Sequence, residues 1–298
     1  MNEYLYPPKG IVDAVLDTDA YNEIDDQFAI AYMLRSTEAI RTRALFAAPF
    51  HNERSESYAD GMEKSYHEIK KLLSLMGGEA LNMPVFRGST SRLPDEKTPV
   101  DSDAARELVR LSLEYNSENR LYVVAIGALT NVASAFLLDP TIKDRCVVVW
   151  LGANGHHYPH NSEFNLGGDI AAARVVMGSK VPFVSLPCVG VVSAFTTDEH
   201  ELRFWLGGKN PLADYLVENT VKAAELYAKG RPWTRVIWDV CAVAFLTGAD
   251  KFLGSDIRPM RLPTYDHSYE DNSDFDMRYV YEIRRDALFC DLVKKIVG

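Results

Sequence analysis

Residues 11–34, IVDAVLDTDAYNEIDDQFAIAYML, decide the fold. The apolar run at 11–16 reads as a buried strand, and DQFAIAYML at 26–34 reads as a helix with an apolar face. Outward from this unit the same alternation recurs. Strand-like runs stand at 42–48, 121–126, 146–151 and 181–186. Helical stretches stand at 57–75, after the turn in GALTN at 127–131, and at 170–177, 199–206, 212–229 and 238–246. Continuous apolar strands separated by helices specify an α/β fold, a mostly parallel open sheet flanked by helices. There is no internal repeat and no linker rich in Gly, Ser or Pro, so 1–298 reads as a single domain. The acidic stretch PTYDHSYEDNSDFD at 263–276 reads as a solvated surface loop. A strand at 278–283 and a helix to 297 close the chain.

Composition narrows the function. The chain has 298 residues, 47% hydrophobic and 25% charged. These are ordinary globular values, and a chain this long buries roughly 75% of its unfolded surface without a disulfide or structural metal. Net charge is −10, from 32 Lys and Arg against 42 Asp and Glu. No basic cluster offers a nucleic-acid face. Neutral or cationic small ligands and metal cations suit this charge better. Cys146, Cys188, Cys241 and Cys290 are widely spaced, without a C-x-x-C, and Cys in apolar surroundings behaves as a small hydrophobe. No signal-peptide pattern and no membrane-length apolar run is present. A cytoplasmic protein with no membrane role is expected.

In such folds ligands bind beyond the carboxyl ends of the strands. The first strand ends in five acids within ten positions, Asp17, Asp19, Glu23, Asp25 and Asp26. Acids this close raise one another's pKa unless a cation intervenes. An oxygen-rich, sulfur-free set favours Ca²⁺ or Mg²⁺. The bland alternative for Asp25 and Asp26 is service at a helix N-terminus. D-x-D after a first strand also occurs in phosphatases with an aspartyl nucleophile and in sugar-nucleotide transferases that hold a metal with it. The following Asp25-Asp26 doublet separates the readings.

Strand–DTD–loop–DD–helix resembles the N-terminal signature of the nucleoside hydrolases, the inosine-uridine-preferring N-ribohydrolase superfamily. Further motifs follow in order over most of the chain. Phe50-His51-Asn52 follows the second strand. Gly127-Ala128-Leu129-Thr130-Asn131 resembles the family's Gly-Pro-Leu-Thr-Asn, with Ala for Pro. Leu151-Gly152-Ala153 stands where the family has Met-Gly-Gly, and Glu163-Phe164-Asn165 matches its Glu-Phe-Asn. Asp169-Ile170-Ala171 resembles Asp-Pro-Glu, and Trp238-Asp239 matches a late pair of His or Trp with Asp.

The resemblance implies a Rossmann-like nucleoside hydrolase topology and Ca²⁺-dependent cleavage of the N-glycosidic bond of ribonucleosides, with a place in purine salvage. It assigns Asp19 as metal ligand and general base, and Asn52 to the neighbourhood of the water. Asp26, Asp239 and the main-chain oxygen of Thr130 become further metal ligands. Asp25 meets the ribose 2-hydroxyl, Asn165 the 3-hydroxyl, and Glu163 with Asn161 the 5-hydroxyl; Asn154 competes with Asn161. A homo-oligomer, dimer or tetramer, is implied. Where pyrimidine-cleaving or nonspecific members carry His, this chain has Trp238. That resembles the purine-specific branch, in which indoles stack on the base; the plain alternative is a packed Trp. The interval between Asp19 and Asp25 is two residues longer than usual, and Asn22 lies in it. His156, His157 and His160 crowd one loop, read first as solvated. Tyr227, Arg231 and Trp233 are candidates for the base pocket. The alternatives are another glycoside or ribosylated metabolite, or a noncatalytic Ca²⁺-dependent sugar binder.

Overall fold

Burial on both faces is what makes the central strands. In β1 (Val12–Thr18) every residue from Ala14 on is buried, and β4 (Leu121–Ala125) and β5 (Cys146–Leu151) are buried throughout. The structure, a computed structural model, describes residues 3–298, the side chains of 271–273 excepted. The remaining strands are β2 (Ile40–Ala47), β3 (Val85–Arg87), β6 (Phe183–Leu186), β7 (Thr196–Thr197), β8 (Arg235–Val236), β9 (Leu253–Pro263) and β10 (Tyr269–Ile283). Among the described residues one eight-stranded sheet runs β3-β2-β1-β4-β5-β6-β10-β9. All its pairings are parallel except the β9–β10 hairpin.

Alternation along the strands splits the core into two layers. Leu16, Val124 and Val149 join one cluster, Val15, Val123 and Val148 the other. The first layer is covered by α1 (Asp26–Arg35), α2 (Tyr58–Met76), α7 (Glu199–Trp205), α8 (Pro211–Ala228), α9 (Val240–Phe252) and α10 (Arg285–Val297). The second is covered by α3 (Asp103–Ser112), α4 (Thr130–Leu138) and α6 (Ile170–Gly178), with the one-turn α5 (Phe164–Gly168) beside it. Ser57, the first residue of the stretch read as helical, stands just outside α2 and caps it by accepting from the Asp60 N–H. Among the described residues no helix is long and apolar enough to cross a membrane.

The stretch 263–276 is not a solvated loop: only its turn at 264–268 is, and from Tyr269 it runs as β10 against β9. A count of charges hid the strand, because an exposed hairpin at a sheet edge is polar on its solvent side. Its inward aromatics work: Tyr269 OH donates to the Asn154 carbonyl (3.0 Å), and Tyr279 OH accepts from the His156 N–H (3.0 Å). The hairpin thus braces the loop after β5.

Trp150 braces the loop after β4 in the same way, donating Nε1–H to the Gly127 carbonyl at 3.0 Å from a fully buried position. Trp150→Phe leaves that buried carbonyl unpaired and should lower unfolding free energy by about 1–3 kcal/mol. Urea denaturation checks this; an unchanged midpoint would show that the bond carries nothing.

Candidate functional site

Register brings the strand ends level. Asp17 pairs with Phe46 and Ala125, Ala125 with Trp150, and Leu151 with Leu186. The segments leaving these ends line a cleft of about 350 Å³, with Asp19, Asn52, Asn165, Trp238 and Asp239 in its walls.

The acids meet there. Asp19, Asp25, Asp26 and Asp239 are all at most 3% exposed. Carboxylate oxygens of Asp25, Asp26 and Asp239 lie within 4.8 Å of one another. Asp25 and Asp239 occupy the N-cap positions of α1 and α9, yet neither side chain makes a capping bond. Asp25 and Asp26 do stand at the start of α1, where acids suit the helix dipole, but the side chains of Asp25 and Asp239 turn toward one another rather than cap. Thr18 Oγ1 donates to Asp26 (2.5 Å) and fixes it. Asp19 is set apart in another way: neither of its buried oxygens finds a hydrogen-bond partner among the described residues. A Cβ on Gly127 would come within 3.0 Å of Asp19 Oδ1, so glycine there gives the carboxylate its room.

Burial pushes every one of these groups upward, and the neighbouring carboxylates push Asp19, Asp26 and Asp239 further. Asp25 is raised to about 7 by burial and then by Glu23, against the opposing Arg235. Asp17 is raised to about 7 by burial, moderated by the Asn131 side chain, whose amide donates to Asp17 Oδ1 at 2.8 Å. Unpaired buried carboxylates in a converging, all-oxygen set fit a hard divalent cation, which removes both the repulsion and the unmet acceptors.

Of the remaining site candidates, Asn52, Glu163, Asn165 and Trp238 line the same cleft, and Thr130 and Asn161 do not. Thr130 opens α4 fully buried, and its hydroxyl donates to Asp169 (2.8 Å). Asn165 commits both amide hydrogens, to the Ile126 (3.1 Å) and Leu151 (3.0 Å) carbonyls, and keeps Oδ1 for a ligand. Glu163 caps α5: its oxygens accept from the N–H groups of Ala153, Asn165 and Leu166 at 2.7–2.9 Å. Burial raises its pKa against those three bonds. Asn161 stands behind the wall, its Oδ1 accepting from the Asn154 N–H (2.6 Å), while Asn154 lines the cleft. Trp238 is half-buried; it lines the cleft and packs on the core at once. Asn52 donates to Asn22 Oδ1 (2.6 Å) in the lengthened loop and accepts from the Arg54 N–H (2.8 Å).

The three histidines do not gather into a metal-binding group among the described residues. His156 lies between the rings of Tyr269 and Tyr279 instead. Arg231 and Trp233 line a separate surface cleft. Two features escaped the sequence. Cys188 lines the cleft and meets Glu163, raising its own thiol pKa through burial and that carboxylate; its place just past the end of β6 was the available signal. Glu23 of the lengthened loop pairs with Arg235, a contact 212 residues apart that no local pattern announces.

Known proteins resemble this chain in sequence and in fold. The family model described as inosine-uridine preferring nucleoside hydrolase matches residues 14–278. An inosine-uridine preferring nucleoside hydrolase of Leishmania major is 29% identical over 164 residues, 53% of this chain and 51% of that protein. A pyrimidine-specific ribonucleoside hydrolase of Escherichia coli O1:K1 is 38% identical over 73 residues, 24% of this chain and 23% of the relative. The match thus spans about half the length, or less, of these curated relatives. A solved purine-preferring ribonucleoside hydrolase from Gardnerella vaginalis shares the fold, with TM-score 0.76 and 16% identity over 96% of this chain and 98% of that one.

The acid cluster predicts a pH dependence. With divalent ions removed, Asp17 and Asp25 titrate at about 7 in the folded chain, against about 3.9 unfolded. Between those values the folded state holds protons that the unfolded chain has released, so stability falls as pH rises through the window. Thermal melts of chelator-treated protein should show Tm falling from about pH 4 to about pH 7, and added Ca²⁺ should restore it at the upper end. A Tm that stays level, or ignores Ca²⁺, contradicts the assignment.

Proposed function

This chain belongs to the inosine-uridine preferring nucleoside hydrolase family, and we propose that it is a Ca²⁺-dependent N-ribohydrolase that prefers purine nucleosides. The observation that carries the reading is Asp19: a buried carboxylate with both oxygens unpartnered among the described residues, beside three converging carboxylates at the strand ends. Ca²⁺, held by Asp19, Asp26, Asp239 and the Thr130 main-chain oxygen, would acidify a water and engage sugar hydroxyls. Asp19 takes the proton of the attacking water. Asp25 accepts from the 2-hydroxyl of the sugar; its place within the same carboxylate group keeps that hydroxyl close to the cation. Asn165 offers Oδ1 to the 3-hydroxyl. Glu163 meets the 5-hydroxyl, with Asn161 acting through Asn154. The negative field of the cleft favours the positive charge that develops on the ribosyl ring. Asn52 holds the lengthened loop against the water side of the cleft.

The purine preference rests on Trp238, which replaces a potential acid with an indole facing the cleft. Stacking raises the basicity of a purine ring nitrogen, so solvent protonates the departing base. The lengthened loop favours one second reading, a larger ribosylated metabolite, because Asn22 and Glu23 both enter the cleft wall.

Asp19→Ala and Asp239→Ala should each lower inosine hydrolysis by at least about 100-fold while the circular dichroism of the fold survives. Unchanged turnover in either contradicts the metal assignment. Trp238→Ala should lower kcat/KM more for inosine than for uridine; equal losses would make it a packing residue only.

A further inference from the structure

The lengthened loop separates the cleft from a second one. Glu23 lines both, and beyond it lies a cavity of about 410 Å³ between α1, α2 and α8. Three features of that cavity point to a ligand. Gln27 is 1% exposed and lines it; its Nε2 is fixed on the Ala20 carbonyl (2.7 Å), but its Oε1 has no partner among the described residues. An unmet buried acceptor asks for a donor. Glu68, 5% exposed, adds a buried carboxylate held by the Tyr215 hydroxyl and the Gln27 amide. Tyr21 and Tyr215 supply aromatic walls.

The chain itself shows which group this wall attracts. Lys71 places its ammonium 3.9 Å from Glu68 and 3.9 Å from the Tyr215 ring centroid, a charge pair combined with a cation–π contact. Two basic residues also line the cavity. Arg54 is committed to the Glu23 carbonyl (3.0 Å), and Lys222 is exposed. The acceptor-rich floor therefore sets the chemistry. The sugar belongs at the deeply buried carboxylates, so an aglycone extends outward past half-exposed Glu23.

We propose that the cavity behind Glu23 is a subsite for an amine-bearing extension of the aglycone, its ammonium received by Glu68 and the Gln27 Oε1. The inference rests on the ribosyl-substrate reading above. The test is calorimetric binding, in the presence of Ca²⁺, of carbocyclic adenosines carrying an aminohexyl or a hexyl chain on the exocyclic nitrogen. Their sugar ring lacks the oxygen that supports an oxocarbenium ion, so they bind without being cleaved. The amine should bind about tenfold more tightly than the neutral chain, the worth of a charge-assisted hydrogen bond. Glu68→Gln and the cavity-filling Ala223→Trp should each abolish that ratio while adenosine hydrolysis stays at the wild-type rate. Ala223 lies on α8 at the cavity wall, which keeps the test independent of any folding defect in Glu68→Gln. Equal affinity for the two chains, or a ratio that survives both variants, overturns the subsite and leaves the cavity to water. Failure to cleave adenosine would count against the ribohydrolase reading alone, since the binding ratio is read without turnover.

Discussion

Four carboxylates share one buried pocket, and everything around them follows from that. Burial makes each resist ionisation where it stands, and neighbouring carboxylates raise Asp19, Asp26 and Asp239 further. Left alone, such a group must hold protons or destabilise the fold. A cation resolves both demands at once. Partners within the pocket are few: Asp19 has no hydrogen-bond partner among the described residues, Asp26 has the Thr18 hydroxyl, and the side chains of Asp25 and Asp239 make no capping bond at the helix starts they occupy.

The sheet is what holds the acids in place. Parallel strands in level register deliver one loop each to the same edge, as topology requires of an open α/β sheet. Behind those loops stand the braces. Asn131 ties β1 to β2 by donating to Asp17 and to the Ala47 carbonyl, and Trp150 holds the turn before Thr130. The β9–β10 hairpin steadies the loop that carries Asn154, and Arg174 of α6 clasps it through Glu270 and the Pro263 carbonyl. These bonds brace the strand-end wall of the cleft, and Asn22 and Glu23 line it from the loop before α1.

Much of this was written in local pattern. Buried strands announce themselves as short apolar runs, and residues 11–34 alone specify the strand, the acid cluster and the first helix. Asp25, Asp26 and Asp239 converge beside Asp19, as their positions at element ends suggest. What the sequence hid depends on distant partners or on mixed composition. The pairing of Glu23 with Arg235 and the cavity behind it exist only once α2 and α8 pack beside α1. The acidic stretch 263–276 concealed Tyr269, whose bond to Asn154 makes a surface hairpin part of the site. Short α5 and β3 carry too few residues for a period to show. Glu163 resembles the family's Glu-Phe-Asn acid in sequence, but the pattern does not show that in the fold its carboxylate gathers three backbone N–H groups.

On the proposed reading, the carboxylate cluster holds a divalent cation that ribosyl cleavage requires. Reducing-sugar release from inosine, adenosine, guanosine, cytidine and uridine, with chelator and then with Ca²⁺ or Mg²⁺ restored, tests it most directly. Release is expected chiefly from the purine nucleosides, abolished by the chelator and recovered with Ca²⁺. Release that persists undiminished after complete removal of divalent ions would contradict it.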